Sequence, residues 1–280
     1  MPVGAVDRPL FWRGNPPNLK MLSPTTLDIE FLIETAHVAG AEIMEVYAGH
    51  VEVERKDDAS PVTAADLRSH EVIVERLRQA NPQIPILSEE NAEQASYEVR
   101  KHWRECWLVD PLDGTKEFLK RNGQFTINIG LVQDSRPAWG LVYAPALDRL
   151  YFGGGKLGAF KVECGGMPCR LPEPGAADRT WRVVVASLSH PSPAMDAYVA
   201  EQRRQHDDVR FLAVGSALKL CLVAEGRADV YPRFGPTMEW DTAAAHAIVN
   251  AAGKKVLRHG SDEELTYNKK DLRNSWFVVE

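Results

Sequence analysis

Between residues 27 and 47 the apolar positions Leu32, Ala36, Ala39, Ile43 and Val46 recur at three- and four-residue intervals. That spacing gathers one apolar stripe on an α-helix. A polar stretch follows, Arg55-Lys56-Asp57-Asp58-Ala59-Ser60-Pro61-Val62. Thr63-Ala64-Ala65-Asp66 then opens a second helix with Leu67, Val74 and Leu77 on one face, ending near Asn81-Pro82. From there the period changes. Ile84–Leu87 predicts a short strand that delivers Ser88-Glu89-Glu90-Asn91. Cys106–Val109 predicts a buried strand stopped at Asp110-Pro111, because the residue before a proline is pushed out of helical geometry and Asp, Pro and Gly form turns. Phe125, Ile127, Ile129 and Leu131 alternate as a half-buried strand does, as do Trp139, Leu141 and Tyr143. The Gly-rich stretch Asp148–Lys161 predicts a hairpin.

Residues 172–180, Pro-Glu-Pro-Gly-Ala-Ala-Asp-Arg-Thr, form the candidate linker. Strands and helices alternate beyond it. A strand at 183–185 leads into Ser187-Leu188-Ser189-His190, followed by a helix at 192–204 and a strand at 209–213. A helix starts at Gly215-Ser216-Ala217-Leu218-Lys219 and ends at Gly226. A strand at 228–231, a helix at 239–252 closed by Gly253, and a terminal strand at 276–279 complete the chain. The expected organisation is α/β in layers: an N-terminal extension over 1–22, an α+β metal-binding subdomain over 23–175 and an α/β substrate-binding subdomain over 176–280. The extension is Pro-rich, contains Phe11, Trp12 and Arg13, and leaves open whether translation starts at Met1 or Met21.

Composition narrows the function. The 280 residues are 44% hydrophobic and 26% charged, enough for two domains or one large one. A formal net charge of −6 argues against a nucleic-acid surface built on basic patches. The cysteines Cys106, Cys164, Cys169 and Cys221 form no CxxC pair, so reduced thiols in a cytoplasmic protein are the simpler reading. No apolar run is long enough to span a membrane.

The chemistry sits where elements change. Glu89-Glu90 follow one strand, Asp110 and Asp113 end another, and Asp241 opens a helix. Carboxylates ~5 Å apart at an effective dielectric of ~20 repel by roughly 3 kcal/mol per pair. If these acids meet, protons or cations must neutralise them. Mg²⁺, which takes carboxylate and phosphate oxygens, is the economical answer. Gly114-Thr115 adds backbone N–H groups and a hydroxyl for a phosphate. Each acid also has an ordinary role. Asp66 stands three residues after Thr63, the capping-box spacing. Glu89-Glu90 suit a solvated loop, Asp241 suits a helix N-terminus, and Lys56 with Asp57-Asp58 reads as a solvated loop.

Taken together, Asp66, Glu89-Glu90, Asp110-Pro111-Leu112-Asp113-Gly114-Thr115 and Trp240-Asp241 resemble the signature of the lithium-sensitive phosphatase superfamily that includes inositol monophosphatase and fructose-1,6-bisphosphatase. Within it, Lys116-Glu117-Phe118, Lys120-Arg121-Asn122-Gly123, Ser187-Leu188-Ser189-His190, Gly215–Lys219 and Ala224–Asp241 are similar to the CysQ-type 3'(2'),5'-bisphosphate nucleotidases. The resemblance implies an αβαβα sandwich that hydrolyses adenosine 3',5'-bisphosphate to AMP and phosphate, or the related phosphosulfate to its 5'-phosphosulfate product, in sulfur assimilation. It implies Mg²⁺ held by Glu89, Asp110 and the Leu112 carbonyl, a second Mg²⁺ held by Asp110, Asp113 and Asp241, and inhibition by Li⁺. Glu90 supports the shell or a weaker third ion. Asp66 and Thr115 activate the attacking water, and the Gly114 and Thr115 amides hold the phosphate. His190, Ser216, Lys219 and Arg233 line the pocket for the second phosphate and adenine, although a lysine at a helix start is equally a surface charge. The resemblance extends to a homodimer in the cytoplasm, with some relatives peripheral on the inner membrane. Inositol monophosphatase is the nearest alternative, and a non-catalytic metal- or nucleotide-binding relative is the alternative from another class. Ala245 and His246, and Lys254-Lys255 after Gly253, stand where many relatives carry glycine.

Overall fold

A computed structural model describes residues 27–49, 53–55, 61–176, 179–186 and 193–280; the extension through residue 26, Lys56 to Ser60 and His190 lie outside the described residues. Helix α1 (Ile29–Ala48) starts at Asp28, whose Oδ1 accepts from the Phe31 N–H at 3.1 Å. It buries Leu32, Ala36, Ala39 and Ile43 as the spacing predicts. Strands β1 (Val53–Arg55) and β2 (Pro61–Thr63) pair antiparallel ahead of helix α2 (Ala64–Ala80). On α2 the expected face holds for Val74 and Leu77 but not for Leu67. Leu67 is 40% exposed, whereas Asp66 and Ser69 are buried beside Ala65, Ile73, Val74 and Leu77. Polar residues facing the site displace the stripe that hydrophobicity alone would draw.

The α1 and α2 pair covers one face of a seven-stranded sheet of β3 (Ile86–Ser88), β4 (Glu105–Asp113), β5 (Thr126–Gln133), β6 (Arg136–Ala144), β7 (Arg149–Gly154), β8 (Gly158–Glu163) and β9 (Cys169–Leu171). β3 runs parallel to β4 and every other neighbour is antiparallel. Two short helices, α3 (Tyr97–Arg100) and α4 (Thr115–Leu119), flank β4. The period of two sorts the core. Trp107, Val109, Ile127, Ile129, Trp139 and Leu141 pack under the first helices.

Cys106, Leu108, Val142 and Ala144 point the other way, into a cluster shared with α6 (Leu218–Ala224) and α7 (Glu239–Ala251). A Cβ built on Gly140 would lie 2.0 Å from the Ala244 carbonyl oxygen, and one on Gly130 would lie 2.8 Å from the Ala244 nitrogen. Glycines on the sheet and alanines on α7 therefore let the helix backbone rest directly on β5 and β6.

Beyond α6 and α7 come β10 (Arg182–Ala186) parallel to β11 (Val209–Ala213), and β12 (Tyr231–Arg233) and β13 (Val256–Arg258) on either side of β14 (Phe277–Val279). A parallel bridge from Val184 to Val230 joins the two groups. Helix α5 (Pro193–Gln205) touches this layer through Tyr198 against Phe234, ring centroids 5.6 Å apart. The layers run α, β, α, β, α. The helix expected from Gly215 starts instead at Leu218, because Ser216 is left-handed at φ +55°. The strand expected at 228–231 is centred later, over Tyr231–Arg233. All four cysteines are free thiols. Among the described residues, no helix is long and apolar enough to cross a membrane.

Candidate active site

The expected stop of the β4 strand at Asp110-Pro111 does not occur. β4 continues to Asp113 across an irregularity in its pairing with β5, where Asp110 opposes Asn128 and Asp113 opposes Thr126. Three steps on one strand thus face two on the other. Residues 126 and 128 share a face, and opposed residues point the same way, so the extra residue puts Asp110 and Asp113 on one face. A regular strand would have sent them to opposite sides. Pro111, which has no N–H to lose from the ladder, occupies the bulge. The Ser69 hydroxyl of α2 donates to the Pro111 carbonyl at 2.8 Å, and the Leu112 N–H donates to Asp110 Oδ1 at 3.1 Å. Gly114 then turns the chain at φ +91° into α4, placing Thr115 at the first helical position.

The other acids arrive from separate elements. The parallel β3–β4 register aligns Ser88 with Val109, which brings Glu89 alongside Asp110. Asp66 lies in the first turn of α2 and is 4% exposed. Asp241 lies in the first turn of α7, and its Oδ2 accepts from the Met238 N–H at 2.8 Å, so its ordinary helix-start role is real as well. The electrostatics register the convergence. Burial, then Glu89, Asp113, Asp241 and Asp66, hold the Asp110 carboxyl well above the usual carboxylate range. Burial and Asp113 push Asp241 up to about 8, against the pull of the Met238 N–H.

The acids share one field without yet forming a cage. Among the described residues, no three of them stand together at ligand-cluster spacing. Asp241 has Oδ2 on the Met238 N–H. Asp113 has Oδ2 on the Ser216 hydroxyl and the Ala217 N–H, each 2.7 Å away, with the Asn128 amide at 3.4 Å. The donor set still fits a hard divalent cation: Asp110 is buried, Glu89, Asp113 and Asp241 are half-buried around it, and a cation would relieve their mutual repulsion.

On the substrate side the lysine is no surface charge. Lys219 is 9% exposed, donates to the Ser216 carbonyl at 2.7 Å and lies 5.7 Å from the Tyr231 ring centroid. Burial lowers it to about 8, while Asp113, Glu117 and Asp241 favour its charged form. Arg233 folds back so that its guanidinium donates to the Pro236 carbonyl at 2.9 Å. The sequence reading missed Thr126 and Asn128, both fully buried beside the acids. Their signal was legible: two polar residues, two apart, at inward positions of an otherwise apolar strand.

The layered fold sets its acids at the end of the main sheet, and the model of the inositol monophosphatase family matches residues 26–276. The chain belongs to that family. Among its relatives, the 3'(2'),5'-bisphosphate nucleotidase CysQ of Salmonella typhimurium is 49% identical over 81% of this chain and 89% of its own length. The Haemophilus influenzae CysQ is 35% identical over 87% and 89%. The crystal structure of CysQ from Bacteroides thetaiotaomicron superposes with a TM-score of 0.81 at 44% identity, covering 90% of this chain and 96% of that one.

Proposed function

We propose that this chain is a Mg²⁺-dependent 3'(2'),5'-bisphosphate nucleotidase that hydrolyses adenosine 3',5'-bisphosphate to AMP and phosphate. The observation that carries the phosphatase reading is the buried Asp110 carboxyl in the field of Glu89, Asp113, Asp241 and Asp66. The nucleotide reading is supported by relatives of that name at up to 49% identity. Glu89, Asp110 and the Leu112 carbonyl would hold one Mg²⁺, and Asp110, Asp113 and Asp241 a second, with Glu90 supporting the shell or a weaker third ion. Bound there, the ions lower the pKa of water and offset charge on the attacking and leaving oxygens. The protein's own groups orient and protect. Asp66 accepts the proton of the attacking water, the Thr115 hydroxyl aligns that water, and the Gly114 and Thr115 N–H groups hold the phosphate oxygens. Lys219, Ser216, Arg233 and His190 recognise the second phosphate and the base. The 5'-phosphosulfate analogue, inhibition by Li⁺, the division at residues 175–176 and a homodimer belong to the same reading.

The test is phosphate release from adenosine 3',5'-bisphosphate and inositol 1-phosphate side by side, with Mg²⁺ and with or without Li⁺. Preference for the nucleotide is the expected result. Preference for the inositol ester overturns the substrate assignment and keeps the phosphatase, and release from neither overturns both.

A further inference from the structure

The carboxylate of Asp113, half-buried at the end of β4, is held by protein donors on one oxygen. Oδ2 accepts from the Ser216 hydroxyl and the Ala217 N–H at 2.7 Å each and from the Asn128 amide at 3.4 Å; Oδ1 takes none of the three. Behind them sits Thr126, fully buried, with its hydroxyl against Ser216 Oγ and 2.9 Å from Asn128 Oδ1. The proton count decides who donates. Ser216 has one hydroxyl proton, and Asp113 receives it. The Thr126–Ser216 contact therefore uses the Thr126 proton, shared with Asn128 Oδ1. That acceptor role fixes the Asn128 amide with its NH₂ toward Asp113. A single hydroxyl thus orients both side chains that grip Oδ2.

The backbone leaves this grip little slack. Ser216 is left-handed at φ +55°, which brings its Oγ and the following N–H onto the same carboxylate oxygen. Gly215 before it is wedged: a Cβ there would meet Glu117 Cγ at 2.6 Å and the Gln124 carbonyl oxygen at 2.7 Å, and its N–H donates to Gln124 Oε1 at 2.8 Å.

We propose that Thr126 is a positioning residue for the bound cation: acting through Ser216 and Asn128, it keeps Asp113 Oδ2 saturated by protein donors and so reserves Oδ1 for the metal. The proposal rests on the reading of Asp113 as a metal ligand. Partners behind a metal ligand tune affinity by roughly 10- to 100-fold, and a saturated Oδ2 stops the carboxylate from rotating between one- and two-oxygen ligation.

Thr126→Val keeps the shape and removes the proton; Thr126→Ser keeps the proton; Thr126→Ala removes both without steric demand. The measurement is Mg²⁺ titration by calorimetry on the metal-free full-length chain, with no substrate present, alongside melting of the same metal-free proteins. Thr126→Val and Thr126→Ala are expected to weaken Mg²⁺ about tenfold while Thr126→Ser stays near wild type. Wild-type affinity in Thr126→Val, failure of Thr126→Ser to restore it, or a loss that merely tracks a fall in metal-free melting temperature overturns the positioning role. Absence of Mg²⁺ binding by the wild type itself overturns the metal reading beneath it, a result distinguishable because no variant is needed to see it.

Discussion

Asp241→Asn should make the metal-free protein more stable while destroying its activity. In the folded chain burial and Asp113 push the Asp241 carboxyl up to about 8; in the unfolded chain it titrates near ~3.9. A raised folded value means stability that is complete below the unfolded value and lost as pH climbs toward the folded one. At pH 7 the wild type has climbed about 3 pH units through that window. At ~1.4 kcal/mol each the cost is at most about 4 kcal/mol, and roughly 2–4 kcal/mol once the repulsion is shared with Asp110 and Asp113. Asparagine carries no charge and its amide oxygen still accepts the Met238 N–H, so the start of α7 is kept. For a chain of this size ~2 °C accompanies each kcal/mol, which predicts a rise of about 4–8 °C in EDTA at pH 7. The wild type should also gain stability from pH 8 down to pH 5, where the variant is flatter. Mg²⁺ at ~1,000 times its Kd should cancel or reverse the order, because it stabilises the wild type by about 4.1 kcal/mol and the variant has lost an oxygen donor. Scanning calorimetry with and without Mg²⁺, plus phosphate release, covers all of this. A metal-free variant that melts at or below wild type would refute the claim that burial and the neighbouring carboxylates penalise a charge at Asp241.

Asp113→Asn should reduce turnover to background with the melting temperature held within a few degrees, and retained turnover removes the second-metal assignment. Lys219→Ala deletes a buried charge-assisted donor, a loss worth roughly 1.5–3 kcal/mol. The KM for adenosine 3',5'-bisphosphate should rise by at least ~10-fold with little change for inositol 1-phosphate; equal losses on both would mean that Lys219 acts through Asp113 instead. Gly140→Ala drives a methyl into the Ala244 carbonyl and should cost about 1–3 kcal/mol, read as a melting temperature ~2–6 °C lower. An unchanged melting temperature would show that the α7 backbone does not rest directly on β6.

Much of this molecule was readable from residue order. Local period drew α1 and the strands through Trp107, Ile129 and Leu141, and turn chemistry marked the hairpin of β7 and β8. The acids announced themselves by standing at element ends. Three-residue strands such as β9 and β13 passed unnoticed, since a segment that short carries barely one period. Leu67 was misassigned because the rule that apolar residues face inward fails where Asp66 and Ser69 turn toward a polar centre.

The sequence by itself determined which side chains are present to do chemistry and, through motif order, the family. Only the tertiary structure decided that they meet. Asp110 and Asp113 are three apart, a spacing that in a regular strand separates them, and it takes the pairing with β5 to show the bulge that reunites them. Whether Lys219 is a solvated cation or a buried one facing Asp113 depends on what packs over α6. Thr126 became meaningful only when Ser216, ninety residues later, arrived at its hydroxyl. Period and propensity are properties of neighbours along the chain, whereas burial, field and register belong to neighbours in space.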